Sequence, residues 1–141
     1  MESVWISEYS KLASDYIFFA QDIFGVQFMV YQESIHSFNP ETEEIEYLAD
    51  SFNNWAQLVL DDFDFITGHS LASEWQKANG PIKRNSRLVP KIPFTCNGAY
   101  SVDNLFELEM TKAMSTRANF SNQIKNLPDG TMIEFEFSGA E

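Results

Sequence analysis

Two stretches of this chain are crowded with carboxylates. "FNPETEEIEYLADSFNNW" (Phe38–Trp55) holds five acids and no base, and "LDDFDF" (Leu60–Phe65) adds Asp61, Asp62 and Asp64. Acids this close can hold a divalent cation, serve catalysis, or face a basic partner. For metal chemistry the spacing is poor. On a helix Asp61 and Asp64 share a side at i, i+3 while Asp62 points about 100° away, and neither an EF-hand pattern nor a His–carboxylate motif accompanies them. The other reactive residue types are isolated. His36 and His69 stand alone, short of the roughly four ligands of a zinc site. Cys96, in "FTCNGAY", has Arg87 and Lys91 near it in sequence but no readable base. A GxGxxG turn, a GxxxxGK[ST] loop, a CxxC pair and a GxSxG elbow are all missing from the sequence. No cofactor or metal ligand set is therefore expected, and Asp61 with Asp64 is kept only as the weakest alternative, a metal-dependent enzyme.

The distribution of charge favours the third role. The net charge is −12. From Leu12 to Gln76 there are 12 acids and no Lys or Arg, whereas the rest of the chain holds 9 acids and 9 bases. Five of those bases (Lys77, Lys83, Arg84, Arg87, Lys91) follow one another without an acid between them. An acidic body repels phosphate backbones, which argues against nucleic acid, and speeds association with basic proteins. Glu41, Glu43, Glu44, Glu46, Asp61, Asp62 and Asp64 are the candidate partner contacts. Trp75 joins them as a possible hot spot beside the charge boundary. Ordinary surface solubility explains the same acids without any partner.

These residues need a scaffold. The 141 residues, 44% hydrophobic and 15% aromatic, suit a single globular domain spanning 1–141. A single cysteine permits no internal disulfide. "MESVWISEYS" has no apolar core of a signal peptide, and no run reaches the ~18 apolar residues of a membrane span, so a cytoplasmic location without membrane contact is expected.

A short helix is predicted over Val4–Ala13 from Trp5, Tyr9 and Leu12. Strands follow at Tyr16–Asp22, Val26–Gln32, Ile35–Phe38 and Glu44–Ala49, with "NPET" as a turn. The short gaps favour an antiparallel meander, with the glutamates spread along a wet edge. Phe52, Trp55, Val59, Phe63 and Ile66 recur at helical spacing and read as a core stripe ended by Gly68. A second helix covers Leu71–Ala78, and Ile82–Pro93 reads as an ordered crossing loop. "NLFELEM" is a strand with Phe106, Leu108 and Met110 inward, Thr116–Asn126 a helix, and "TMIEFEF" (Thr131–Phe137) a last strand. The fold class is α+β, a mostly antiparallel sheet of about six strands with helices packed on one face.

The order of segments resembles the SUKH superfamily, Smi/Knr-like. "FFAQDIFGVQF" is similar to its strand–FG–strand segment, and "FNPETEEIEYLADSFNNW" to its hairpin followed by a Trp-bearing helix. "GHSLASEWQKANGPIKRNSRLVPKIPF", "YSVDNLFELE" and "QIKNLPDG" resemble later blocks, so the likeness runs from about Tyr16 to Phe137. The N-terminal helical segment of the family, often with an LPxxY-like turn, is shortened here to Met1–Asp15. The resemblance implies a binding protein and no enzyme: an immunity protein that neutralises a cognate basic toxin, such as a nuclease, of a polymorphic or contact-dependent system. The alternative it implies is a regulatory or scaffolding module without a toxin.

Overall fold

The computed structural model describes residues 3–9, 12 and 15–134. A turn at Asp22–Val26 starts the main sheet. Asp22 Oδ1 accepts the N–H groups of Phe24 and Val26, each at 2.9 Å, and so folds β1 (Ile17–Gln21) back onto β2 (Gln27–Tyr31). Gln32 and Glu33 both take positive φ (48° and 71°), as a two-residue hairpin demands, and lead into β3 (Ser34–Phe38). Asn39 to Glu44 turn the chain again into β4 (Ile45–Ala49). The result is the expected antiparallel meander, ordered β1-β2-β3-β4.

Ser51 caps α2 (Phe52–Asp61) by accepting the Asn54 N–H at 3.1 Å. A short α3 (Phe63–Thr67) ends at Gly68, whose φ of 71° supplies the left-handed cap. A Cβ there would lie 2.5 Å from the Phe24 ring, so only glycine lets α3 and α4 (His69–Asn79) meet against it.

The chain then departs from expectation. Ser86–Pro90 is a strand, β5, paired antiparallel with β6 (Leu105–Glu109) in a second, two-stranded sheet. It reads as a loop in sequence because Leu88 and Val89 are both buried and period-two alternation is lost. In β6 it is Leu105, not Phe106, that reaches the core. Next, α5 (Met110–Ile124) starts at Met110 rather than near Thr116, because Glu109 caps it through the Lys112 N–H at 3.1 Å. At the N-terminus the helix α1 is only Ser3–Ile6. Thr131 to Glu134 form no strand, and the rest of the expected last strand lies outside the described residues.

The fold is α+β as expected, with six strands among the described residues divided between two sheets and helices on both faces of the larger one. Neighbours in β2 show this directly. Met29 packs with Trp5, Tyr9, Phe38, Met114 and Ala118, between α1 and α5. Phe28 faces the other way, 5.6 Å from the Trp55 ring of α2. A second core joins Phe24, Leu71, Ala72, Trp75, Leu88 and Leu105. The aromatic stripe of α2 is not core, contrary to its helical spacing: Phe52 is 54% exposed and Phe63 47%. Phe52 and Trp55 instead lean on Phe19, each with ring centroids 5.0 Å away.

Candidate functional site

Two turns at the same end of the meander, Asp22–Val26 and Asn39–Glu44, form one side of a cleft of about 820 Å³. The α3–α4 junction adds Asp62, Asp64, Ser70, Leu71 and Glu74 to the lining. A 3-10 turn at Phe94–Cys96 and the loop after it add Phe94, Thr95 and Tyr100. Arg117 enters from α5. Five carboxylates (Asp22, Glu41, Asp62, Asp64, Glu74) therefore surround one guanidinium and three aromatic rings.

Each group has a distinct environment. Arg117 is buried, and its Nη1 and Nη2 donate to the carbonyls of Phe24 and Leu88, the latter at 3.3 Å. Its Nε has no hydrogen-bond partner among the described residues. Burial lowers the Arg117 pKa, opposed by the nearby charges of Glu41, Tyr9 and Asp22. Gly25, at φ 90°, gives the guanidinium room, since a Cβ there would sit 3.0 Å from Nη1. Desolvation pushes Asp22 up from 3.8 to about 7, against its backbone hydrogen bonds and the charge of Arg117. Glu41 is 6% exposed, and its Oε2 accepts the Thr95 N–H at 3.3 Å and the Thr95 hydroxyl at 3.1 Å. Asp64 accepts the Ser70 N–H at 2.6 Å, which holds its carboxyl below the usual range. The rings of Phe24, Phe94 and Tyr100 stand 5.1–5.6 Å apart, and burial together with Asp22 and Asp64 raises the Tyr100 hydroxyl.

The expected contacts fall into three groups. Glu41, Asp62 and Asp64 converge on the cleft. Glu44, Glu46 and Asp61 are exposed but line no part of it. Glu43 and Trp75 are corrections. Glu43 is 1% exposed, accepts the Ser121 hydroxyl at 3.0 Å and lies 3.9 Å from Lys125 Nζ. Its inward course follows from φ 63°, which breaks the alternation assumed for a wet edge. Trp75 is 8% exposed and its Nε1 donates to the Leu105 carbonyl at 3.4 Å, so it is a core residue and no surface hot spot.

Asp61 accepts from Gln57 at 2.8 Å, apart from the hydrogen bond at Asp64. Among the described residues no three His, Cys, Asp or Glu side chains gather closely enough to hold a metal. His36 bonds to Ser34 at 2.8 Å and stacks edge-on against Tyr47, away from the cleft.

Sequence reading missed Asp22, Glu74, Arg117 and the Phe24–Phe94–Tyr100 group. Two of these left a trace. Asp22 stands three residues before Gly25, an Asx-turn spacing. Arg117 shares a helical stripe with Ala113, Met114, Ala118 and Ser121, all buried, so a base on that stripe is committed to the interior. Among the described residues no helix is long and apolar enough to cross a membrane. No family model, curated protein or solved structure matches this chain.

Proposed function

We propose that this is a non-enzymatic binding protein of the immunity type, acting in the cytoplasm, which neutralises a basic toxin domain by covering it with the acid-lined cleft and its rim. The single observation that carries the reading is the convergence of five carboxylates from four separate elements onto one open cleft whose only base among the described residues, Arg117, is tied to backbone carbonyls. Charge gathered this way favours a cationic protein surface over nucleic acid, and it raises the rate of encounter at low salt. The SUKH resemblance of the sequence supports the same role.

The test is affinity capture at low salt with the tagged chain, alongside the Asp62→Asn, Glu74→Gln double variant. A single stoichiometric basic protein that elutes as salt rises, and that the variant retains poorly, supports immunity. Several weak partners, held equally by both baits, would favour a regulatory or scaffolding module instead.

A further inference from the structure

We propose that the cleft receives one arginine side chain carried on a loop of the partner protein. This rests on the binding function above and goes beyond it by naming the group that enters. The floor provides the first argument. Glu41 is almost fully buried, and Thr95 fixes Oε2 with two hydrogen bonds, while Oε1 takes none among the described residues. A carboxylate held by one oxygen, with the other unpaired, is an oriented acceptor that a donor from outside would satisfy. Arg117 does not supply that donor. It lies within electrostatic reach of Glu41, but no ion pair forms between them, and both its Nη groups are committed to the Phe24 and Leu88 carbonyls.

The walls and rim select the kind of cation. The rings of Phe94 and Tyr100 meet at 47° with centroids 5.1 Å apart, and Tyr100 is 59% exposed, so the cleft lining includes an open aromatic surface. Asp62 and Glu74 stand exposed on the rim and accept no hydrogen bond from their own chain among the described residues. Among the described residues no three of these acceptors gather closely enough to hold a metal ion. A planar guanidinium suits a lining of this composition, because it stacks on an aromatic face while donating in its own plane to carboxylates. An ammonium is a compact, strongly hydrated point charge and cannot do both. At about 820 Å³ the cleft has room for the residues flanking the arginine, which points to a protein loop as its carrier.

The experiment is an NMR titration of the full ¹⁵N-labelled chain at low salt with acetyl-Gly-Arg-Gly-amide, and with the same peptide carrying lysine or citrulline. The arginine peptide should give saturable shifts, of about millimolar affinity, at the amides of Phe24, Val26, Ser70 and Thr95. The lysine peptide should bind at least about fivefold more weakly and citrulline should not saturate. Glu41→Gln keeps the Thr95 contact but turns a donor toward the guanidinium, and should lower affinity about tenfold. Tyr100→Ala should lower it about threefold, and Glu44→Gln, outside the cleft, should leave it unchanged. Equal binding of lysine and arginine, shifts elsewhere on the molecule, or saturation by Ca²⁺ at the same amides would each overturn the proposal. Should the peptide fail while a captured basic protein still depends on Asp62 and Glu74, the arginine slot is wrong and the binding function stands. Should the peptide bind while no basic protein is captured, the slot stands and the immunity role falls.

Discussion

Glu41 and Glu43 carry the same charge as Asp62 and Glu74 and belong to the same base-free half of the chain, yet the fold treats the two pairs in opposite ways. The hairpin acids are 6% and 1% exposed and are met by Thr95, Ser121 and Lys125. Asp62 and Glu74, from the α2–α3 and α4 segments, are open to solvent. The difference lies in which donors face each acid. Where β3 and β4 turn beneath α5 and the 3-10 turn, hydroxyls, a backbone N–H and the Lys125 ammonium are on hand. At the α3–α4 junction the chain offers few partners, and the charge is left for something else to meet. Inner acids hold the cleft in shape; outer acids give it an unmet charge.

The comparison can be broken from the inside. Arg117→Met would remove the cation that offsets Glu41 and Asp22 and would leave two carbonyls unpaired, at a cost of about 4 kcal/mol of stability in urea unfolding. A second effect is carried by pH. Since Asp22 has its folded pKa raised from 3.8 to about 7, the folded state holds an extra proton between those values. The stabilising contribution is complete below pH 3.8 and is lost as pH climbs through about 7, by up to about 4 kcal/mol. Subtracting the stability of Asp22→Asn from that of the parent chain at each pH should expose this decline, and a flat difference would refute it. In the hairpin, Glu43→Ala should cost about 2 kcal/mol by stranding the Ser121 hydroxyl, whereas Glu44→Ala should stay within about 0.5 kcal/mol. The smallest change is outside. Asp62→Asn with Glu74→Gln should leave unfolding unaltered but weaken a basic partner about fivefold at low salt, the difference fading as salt screens the rim.

The same contrast marks how far the sequence could be read. The four-stranded meander, the Ser51 cap and the Gly68 stop were legible because alternation, capping chemistry and left-handed glycine are local signals. Strand β5 was not, because Leu88 and Val89 are both inside. Nor was the fate of Glu43, since a glutamate on a hairpin looks solvated until Ser121, 78 residues away, comes to face it. The helical stripe Phe52–Trp55–Phe63 misled for the opposite reason: its spacing is that of a core face, but Phe52 and Phe63 stay about half exposed while Phe19 and Phe28 meet Phe52 and Trp55. Three of the five cleft acids (Glu41, Asp62 and Asp64) were legible as candidates. Their convergence depends on loops brought together by long-range contacts, which no local spacing announces.

The wall of the cleft is also the seam between the two sheets. Leu88 in β5 donates its N–H to the Ile23 carbonyl at 3.0 Å, and Arg117 clasps the neighbouring Phe24 carbonyl together with that of Leu88. The turn that closes one sheet therefore cannot fluctuate apart from the edge of the other. A molecule lodged against Phe24 would quiet the breathing of a strand it never touches, and the protein would register occupancy as slower amide exchange along β5.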